Sequence, residues 1–194
     1  MVYYMIDWGY FNAGILTLVG FNLFLRTTEM TTILTYQVSF NADLSVAHIV
    51  LPFTKMGRRR STVESVTLRD HLLVRLLAKA IAQVSPGGLV LGMSTAQYRK
   101  LFGHAVKAVG LPSLFKPYGL RRGGATRHFQ VTSNMALTME MGRWQHIATA
   151  RTYVNQALLD ITTIRHFGKE CLHSTANFCS DMLVTQARLY ARKG

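Results

Sequence analysis

Two stretches of helical character enclose one short region of strand character, and that interruption limits the folds open to the chain. Residues 35–40, TYQVSF, and 46–54, VAHIVLPFT, are rich in the β-branched and aromatic residues that strands favour. Residues 61–68, STVESVTL, alternate in a similar way. Between them KMGRRR, residues 55–60, supplies a glycine-containing turn loaded with positive charge. This pattern predicts a small antiparallel sheet with a basic hairpin tip. On either side, apolar residues recur at helical spacing. Residues 13–35 read as helix, with Arg26 and Glu29 breaking the apolar run. Asp70 is placed to cap a helix through Gln83, with Leu72, Leu73, Leu76, Leu77, Ala80 and Ile81 on one face. SPGG at 85–88 ends it. Ser94 or Thr95 opens the next helix, which carries Tyr98, Leu101, Phe102, Ala105, Val106 and Val109 and stops at Gly110. Helical pattern returns over 120–129, 134–141 and 147–159. The expected fold class is α+β, mostly helical, with a small antiparallel sheet and a basic β-hairpin.

Composition narrows the function. The chain is 49% hydrophobic and only 16% charged, so it can bury a substantial core and is not a disordered segment. Its 22 Lys+Arg against 9 Asp+Glu leave a formal charge of +13. A field of that sign on a small domain calls for a polyanionic partner, nucleic acid before an anionic membrane surface. The basic residues cluster in turns rather than along one amphipathic face, which argues against a membrane-surface role. Ala13 to Leu25 is apolar but shorter than the roughly 20 residues a membrane span needs, and Asn22 interrupts it. It reads as a buried core helix. No basic segment with a small-residue cleavage site precedes it, so the chain is expected to act inside the cell, with Cys171 and Cys179 reduced. Those cysteines and their neighbours His166 and His173 fit no zinc spacing, and no metal is expected.

The chemistry concentrates in two short motifs. Tyr118 to Phe129, YGLRRGGATRHF, sets arginines where a loop meets a helix and follows them with glycines and small residues. Glycines admit a partner's close approach, and a helix N-terminus favours phosphate. Arg121 there has the planar fork that matches two phosphate oxygens. The second motif is GRWQHIATARTYV, in which Tyr153 follows Trp144 by nine residues. Upstream stand Arg26 in FLRTTEM and Lys55 in the basic turn, 29 residues apart.

Taken together and in this order, Arg26, Lys55, Arg121, Trp144 and Tyr153 resemble the catalytic domain of the tyrosine recombinases, or phage-integrase family. The flavour is similar to the recombinases of Crypton and DIRS mobile elements. The likeness covers about residues 10–165. It implies a DNA breaking and rejoining enzyme that works through a 3′-phosphotyrosyl intermediate, with no metal or nucleotide cofactor. Tyr153 would be the nucleophile, and Arg26 and Arg121 the clamps on the nonbridging phosphate oxygens, where charge concentrates. An ordinary tyrosine hydroxyl loses its proton near pH 10, so such a nucleophile needs cations close by. Lys55 would protonate the departing 5′ oxygen, assistance worth about 10²–10⁴ in rate. Trp144 would donate its indole N–H to phosphate. Arg58, Arg59, Arg60, Arg122, Arg127 and Arg143 are the expected DNA contacts. By the same likeness the partner is double-stranded DNA, bound by a homotetramer on paired sites.

Two departures from the family's pattern stand out. Tyr118 occupies the place, three residues before the second arginine, where the family has His. A phenol holds a hydrogen bond there but is a weak proton acceptor near neutrality. His128 and His146 read as structural and surface residues respectively. The second departure is length: fewer than about 15 residues precede the match, so the family's N-terminal core-binding domain is expected to be absent. Residues 1–165 are then the catalytic domain, and 166–194 a helical tail passed between protomers or docked in cis. A catalytically weak DNA-binding remnant of a mobile element and a type IB topoisomerase-like enzyme are the alternative functions.

Overall fold

The computed structural model describes residues 1–51 and 63–154, which build a helical body with one small sheet on its flank. Helix α1 (Val2–Asp7) turns through Trp8–Tyr10 into α2 (Phe11–Asn22). Helix α2 is apolar nearly all round and buries Phe11, Ala13, Ile15, Leu16, Thr17 and Val19, as a helix hydrophobic on every side must. Its neighbours are α1, the short α3 (Thr27–Thr31), α4 (His71–Ala82) and α6 (Tyr118–Thr132). The continuous helix expected over 13–35 is broken. The chain leaves α2 at Leu23, passes Phe24 with a left-handed backbone (φ 50°), and re-enters helix only at Thr27. That break turns Arg26 into the N-cap residue of α3, with Glu29 bonding back to its backbone N–H at 2.8 Å.

The sheet follows. Residues Thr35–Gln37 form a 3₁₀ turn where strand was expected, and β1 is only Val38–Phe40. It pairs antiparallel with β2 (Ala47–Leu51), which pairs antiparallel with β3 (Glu64–Leu68), giving the order β1-β2-β3. Ala47, Ile49 and Leu51 point inward, and the register sets Leu51 opposite Glu64. Lys55, Arg58, Arg59 and Arg60, and the expected tail 166–194 with both cysteines, lie outside the described residues.

Helix α4 starts as expected, the Asp70 carboxylate accepting from Leu73 N–H at 2.9 Å. Helix α5 (Thr95–Ala108) opens on a reciprocal cap between Ser94 and Gln97 and closes before Gly110. In the core, the Thr17 and Tyr98 hydroxyls share a 2.8 Å hydrogen bond, and burial pushes the Tyr98 hydroxyl pKa well above its ordinary value. Helix α6 begins at Tyr118, two residues earlier than the sequence pattern, and α7 (Met135–Gly142) is capped by the Asn134 side chain. The chain is helical again over 147–154. No helix among the described residues is long and apolar enough to cross a membrane.

The approach of α6 to α2 is tightest at Gly124, where a β-carbon would overlap the Phe21 carbonyl oxygen and crowd Phe24. Backbone cannot swing aside as a side chain can, so Gly124→Ala is expected to destabilise the protein by about 1–3 kcal/mol in urea unfolding. Gly103→Ala, on α5 with nothing within 4 Å of the added carbon, is the control. It is expected to raise stability by about 0.5–1 kcal/mol.

Candidate active site

A second, smaller apolar cluster sits apart from the main core and consists of Phe24, Ala125, Trp144 and Ala150, with Met135, Met139, Met141 and Tyr153 packed on it. It fills the space between the break after α2, the first half of α6, the turn after α7 and the 147–154 helix. Every described residue singled out for catalysis from the sequence lies in or beside it.

Arg121 is the innermost. Its side chain is fully buried in the first turn of α6. One terminal nitrogen donates to the Phe24 carbonyl, the other to the Gly142 carbonyl at 2.6 Å, and Nε has no partner in the protein. The guanidinium carbon lies 5.0 Å from the Trp144 ring centre and 5.9 Å from that of Tyr153, within cation–π range. Burial, with the charges of Arg26 and Arg143 nearby, pushes the Arg121 pKa down to about 10, which still leaves it cationic at neutral pH.

Trp144 and Tyr153 stack on each other, ring centres 4.8 Å apart and planes 17° apart. Gly142 makes room for this: a β-carbon there would run into the Trp144 ring. The Tyr153 hydroxyl accepts a 2.5 Å hydrogen bond from the Tyr118 hydroxyl. Partial burial, that bond and the proximity of Tyr153 push the Tyr118 pKa up, against the opposing charge of Arg122. Tyr118 therefore keeps its proton at neutral pH and is a donor here. Arg122 sits 5.0 Å from the Tyr118 ring centre, so its charge is held within the site; Arg127 is exposed.

Arg26 reaches Glu29 through its own guanidinium and its backbone N–H. Glu29 Oε2, which accepts the Arg26 backbone N–H, also accepts from Arg143 at 2.6 Å. Burial raises the Glu29 carboxyl pKa, but the Arg143 charge and the Arg26 backbone and side-chain bonds outweigh it, holding it below the ordinary value of 4.5. Arg143 also approaches Glu64 of β3, Nε to Oε2 3.1 Å. Expected from its turn to face DNA, Arg143 points inward instead. Its side chain is 11% exposed, because buried Glu29 and partly buried Glu64 draw it under the site. His128 bonds Thr138 at 2.8 Å and edges onto Phe24, tying α6 to α7, and His146 is exposed. Among the described residues no cluster of His, Cys, Asp or Glu is arranged to hold a metal.

Sequence reasoning missed Glu64 and the two carbonyls that hold Arg121, for which no local signal exists. The Glu29 pairing was visible in the three-residue spacing from Arg26.

The sequence matches no protein-family model and none of the curated proteins. Solved structures do resemble the fold. The XerH site-specific recombinase, bound to palindromic difH substrate in a post-cleavage complex, superposes with a TM-score of 0.59 at 17% identity, over 84% of this chain and 44% of that one. The XerA recombinase gives 0.60 at 14% identity, over 84% and 60%. The Tn1549 transposon integrase, in complex with a circular intermediate DNA, gives 0.55 at 16%, over 72% and 53%. The fold is thus that of the tyrosine recombinase catalytic domain, and the chain spans about half the length of these solved proteins.

A carboxyl with a lowered folded-state pKa stabilises fully above its unfolded value, and that stability is lost as pH falls through the folded one. Glu29→Gln is therefore expected to cost about 3–5 kcal/mol near pH 7, where it strands buried arginine charge. The gap to the unaltered protein should narrow as pH drops below 4.5, the ordinary carboxyl value, in urea melts from pH 7 to pH 3.

Proposed function

We propose that this chain breaks and rejoins DNA strands as a site-specific recombinase or integrase. The observation that carries the reading is the convergence on one cluster of Arg26, Tyr118, Arg121, Trp144 and Tyr153, from four separate segments, with the Tyr153 ring against both Trp144 and Arg121. Packing alone favours an aromatic cluster. It does not call for guanidiniums along that cluster, whose burial is unfavourable unless each is hydrogen-bonded or paired, and Arg121 keeps one donor, Nε, unfilled and able to meet an anion.

In the proposed step the Tyr153 oxygen attacks phosphorus. The Tyr153 O–P bond forms, the P–O5′ bond breaks, and the electron pair leaves with the 5′ oxygen. Lys55 supplies the proton to that oxygen, and the tyrosine proton leaves to solvent. Arg26 and Arg121 stabilise the charge on the nonbridging oxygens, and the Trp144 N–H contributes a further donor. Attack by a 5′ hydroxyl on the phosphotyrosine reverses the bond changes and rejoins the strand, so the bond energy is conserved. Arg121 offers its unpartnered Nε to phosphate once the Tyr153 ring lifts off it. Tyr118 donates a hydrogen bond to the nucleophile in the resting site and is not its base. Arg58, Arg59, Arg60 and exposed Arg127 bind the DNA backbone, and a homotetramer on paired sites is the working assembly.

The test incubates the purified chain and its Tyr153→Phe variant with a pool of nicked, labelled duplexes, followed by denaturing electrophoresis. A covalent protein–DNA band that vanishes in the variant is the expected result. Salt-sensitive retardation of duplex with no covalent band identifies a DNA-binding remnant instead. In the same assay Tyr118→Phe is expected to lose less than about 10²-fold in rate, below what removing a general base causes.

A further inference from the structure

Arg143 has a backbone reason not to be arginine. It closes α7 in the left-handed region, φ 55° and ψ 41°, where glycine or asparagine is the easier residue. Its side chain accounts for the choice. It runs under the site and meets two carboxylates at once: Glu29 at 2.6 Å and Glu64 at 3.1 Å. Glu29 is also the residue that holds the Arg26 guanidinium and its backbone N–H. Glu64 pairs with Leu51 at the end of the β2–β3 ladder, the last register pair before the segment that carries Lys55. Next along the chain from Arg143 is Trp144. One side chain therefore joins the loop of the first arginine, the end of the β2–β3 ladder and the turn that presents the tryptophan.

We propose that Arg143 is a positioning residue that sets Arg26 through Glu29 and ties the end of the β2–β3 ladder to the Trp144 turn through Glu64. The charge count supports this. Arg26, Arg121 and Arg143 are close enough for each of the other two to disfavour the charge on Arg121. Glu29 and Glu64 supply the opposing charge, and both engage Arg143 directly. Without Arg143, Glu29 is free to turn wholly toward Arg26 and draw it away from the direction a phosphate requires, and Glu64 loses its tie to the rest of the site. The role in turnover rests on the recombinase reading above, whereas the hold on Arg26 is a property of the fold and is measurable without it.

The experiment compares the full chain with Arg143→Gln, Arg143→Lys and Glu64→Gln. The side-chain Nε–H resonance of Arg26, assigned by its loss in Arg26→Lys, reports the geometry directly in ¹⁵N NMR. Arg143→Gln is expected to move it further from the position of a free arginine, as Glu29 turns wholly onto Arg26. The rate of covalent adduct at saturating nicked duplex should fall about 10²-fold, the scale of a small misplacement of a reacting group. Half-saturation in duplex retardation should stay unchanged, since the Arg143 side chain is largely buried against Glu29 and Glu64. Arg143→Lys, with one ammonium for two carboxylates, should recover part of the rate. Glu64→Gln leaves the Glu29 pair in place and serves if Arg143→Gln does not fold; it should lose rate in the same direction and to a smaller extent. An Arg26 resonance unmoved in Arg143→Gln overturns the proposal, as does a rate loss that merely parallels loss of folded protein and of DNA retardation. So does an unaltered rate in Glu64→Gln. Should the unaltered chain form no adduct at all, the recombinase reading falls, and the Arg26 resonance alone decides the positioning role.

Discussion

The buried guanidinium of Arg121 is the contact on which the site depends. A fully desolvated cation is tolerated only where hydrogen bonds replace its water, and two backbone carbonyls do so here. Those carbonyls belong to Phe24, in the break after α2, and to Gly142, at the end of α7. One side chain on α6 thereby joins three segments far apart in sequence. The break is necessary to the arrangement: an unbroken helix through residues 23–26 would commit the Phe24 carbonyl to its own helix and carry Arg26 off in another direction. Gly124 lets α6 come close enough to α2 for the bond to Phe24 to form.

Around that contact the site is layered. Trp144 and Tyr153 cover the guanidinium with aromatic faces, whose quadrupoles favour the cation beneath them. Below and to the side, Glu29 and Glu64 balance Arg26 and Arg143. The charges sit in a poorly solvated place where their interactions are stronger than in water. An unfilled donor such as Arg121 Nε is there correspondingly receptive to an incoming anion. The Tyr118–Tyr153 hydrogen bond and the ring stack hold Tyr153 over Arg121 in the resting arrangement. One ring thus lies against both the Arg121 guanidinium and the Tyr118 hydroxyl.

Several elements were legible from local chemistry. Asp70 and Ser94 each announce a helix start by a side chain that bonds the backbone within three residues, and both caps formed. The β-branched and aromatic content of 46–54 and the alternation in 61–68 pointed to the two longer strands, found at Ala47–Leu51 and Glu64–Leu68, since both are properties of neighbours along the chain. The break at 23–26 was not legible. Leu23, Phe24 and Leu25 are apolar and helix-compatible, and a bond from a side chain 97 residues away occupies the Phe24 carbonyl. The short 3₁₀ turn at 35–37 also overrode local propensity, its ends being held by Gln37 and by contacts with residues near 88.

At the site the division falls along the same line. The order and spacing of Arg26, Tyr118, Arg121, Trp144 and Tyr153 singled them out through their likeness to a family pattern, and the fold brings these residues together. Sequence also determined that a basic, core-forming chain of α+β pattern was in hand. Only the tertiary structure decided where each guanidinium points. Arg121 is turned onto carbonyls and Arg122 onto a ring, while Arg143 lies beneath the site between two carboxylates rather than on the surface. An arginine's direction is set by which acceptors the fold leaves without partners, and those acceptors arrive from distant segments. No pattern along the chain encodes them.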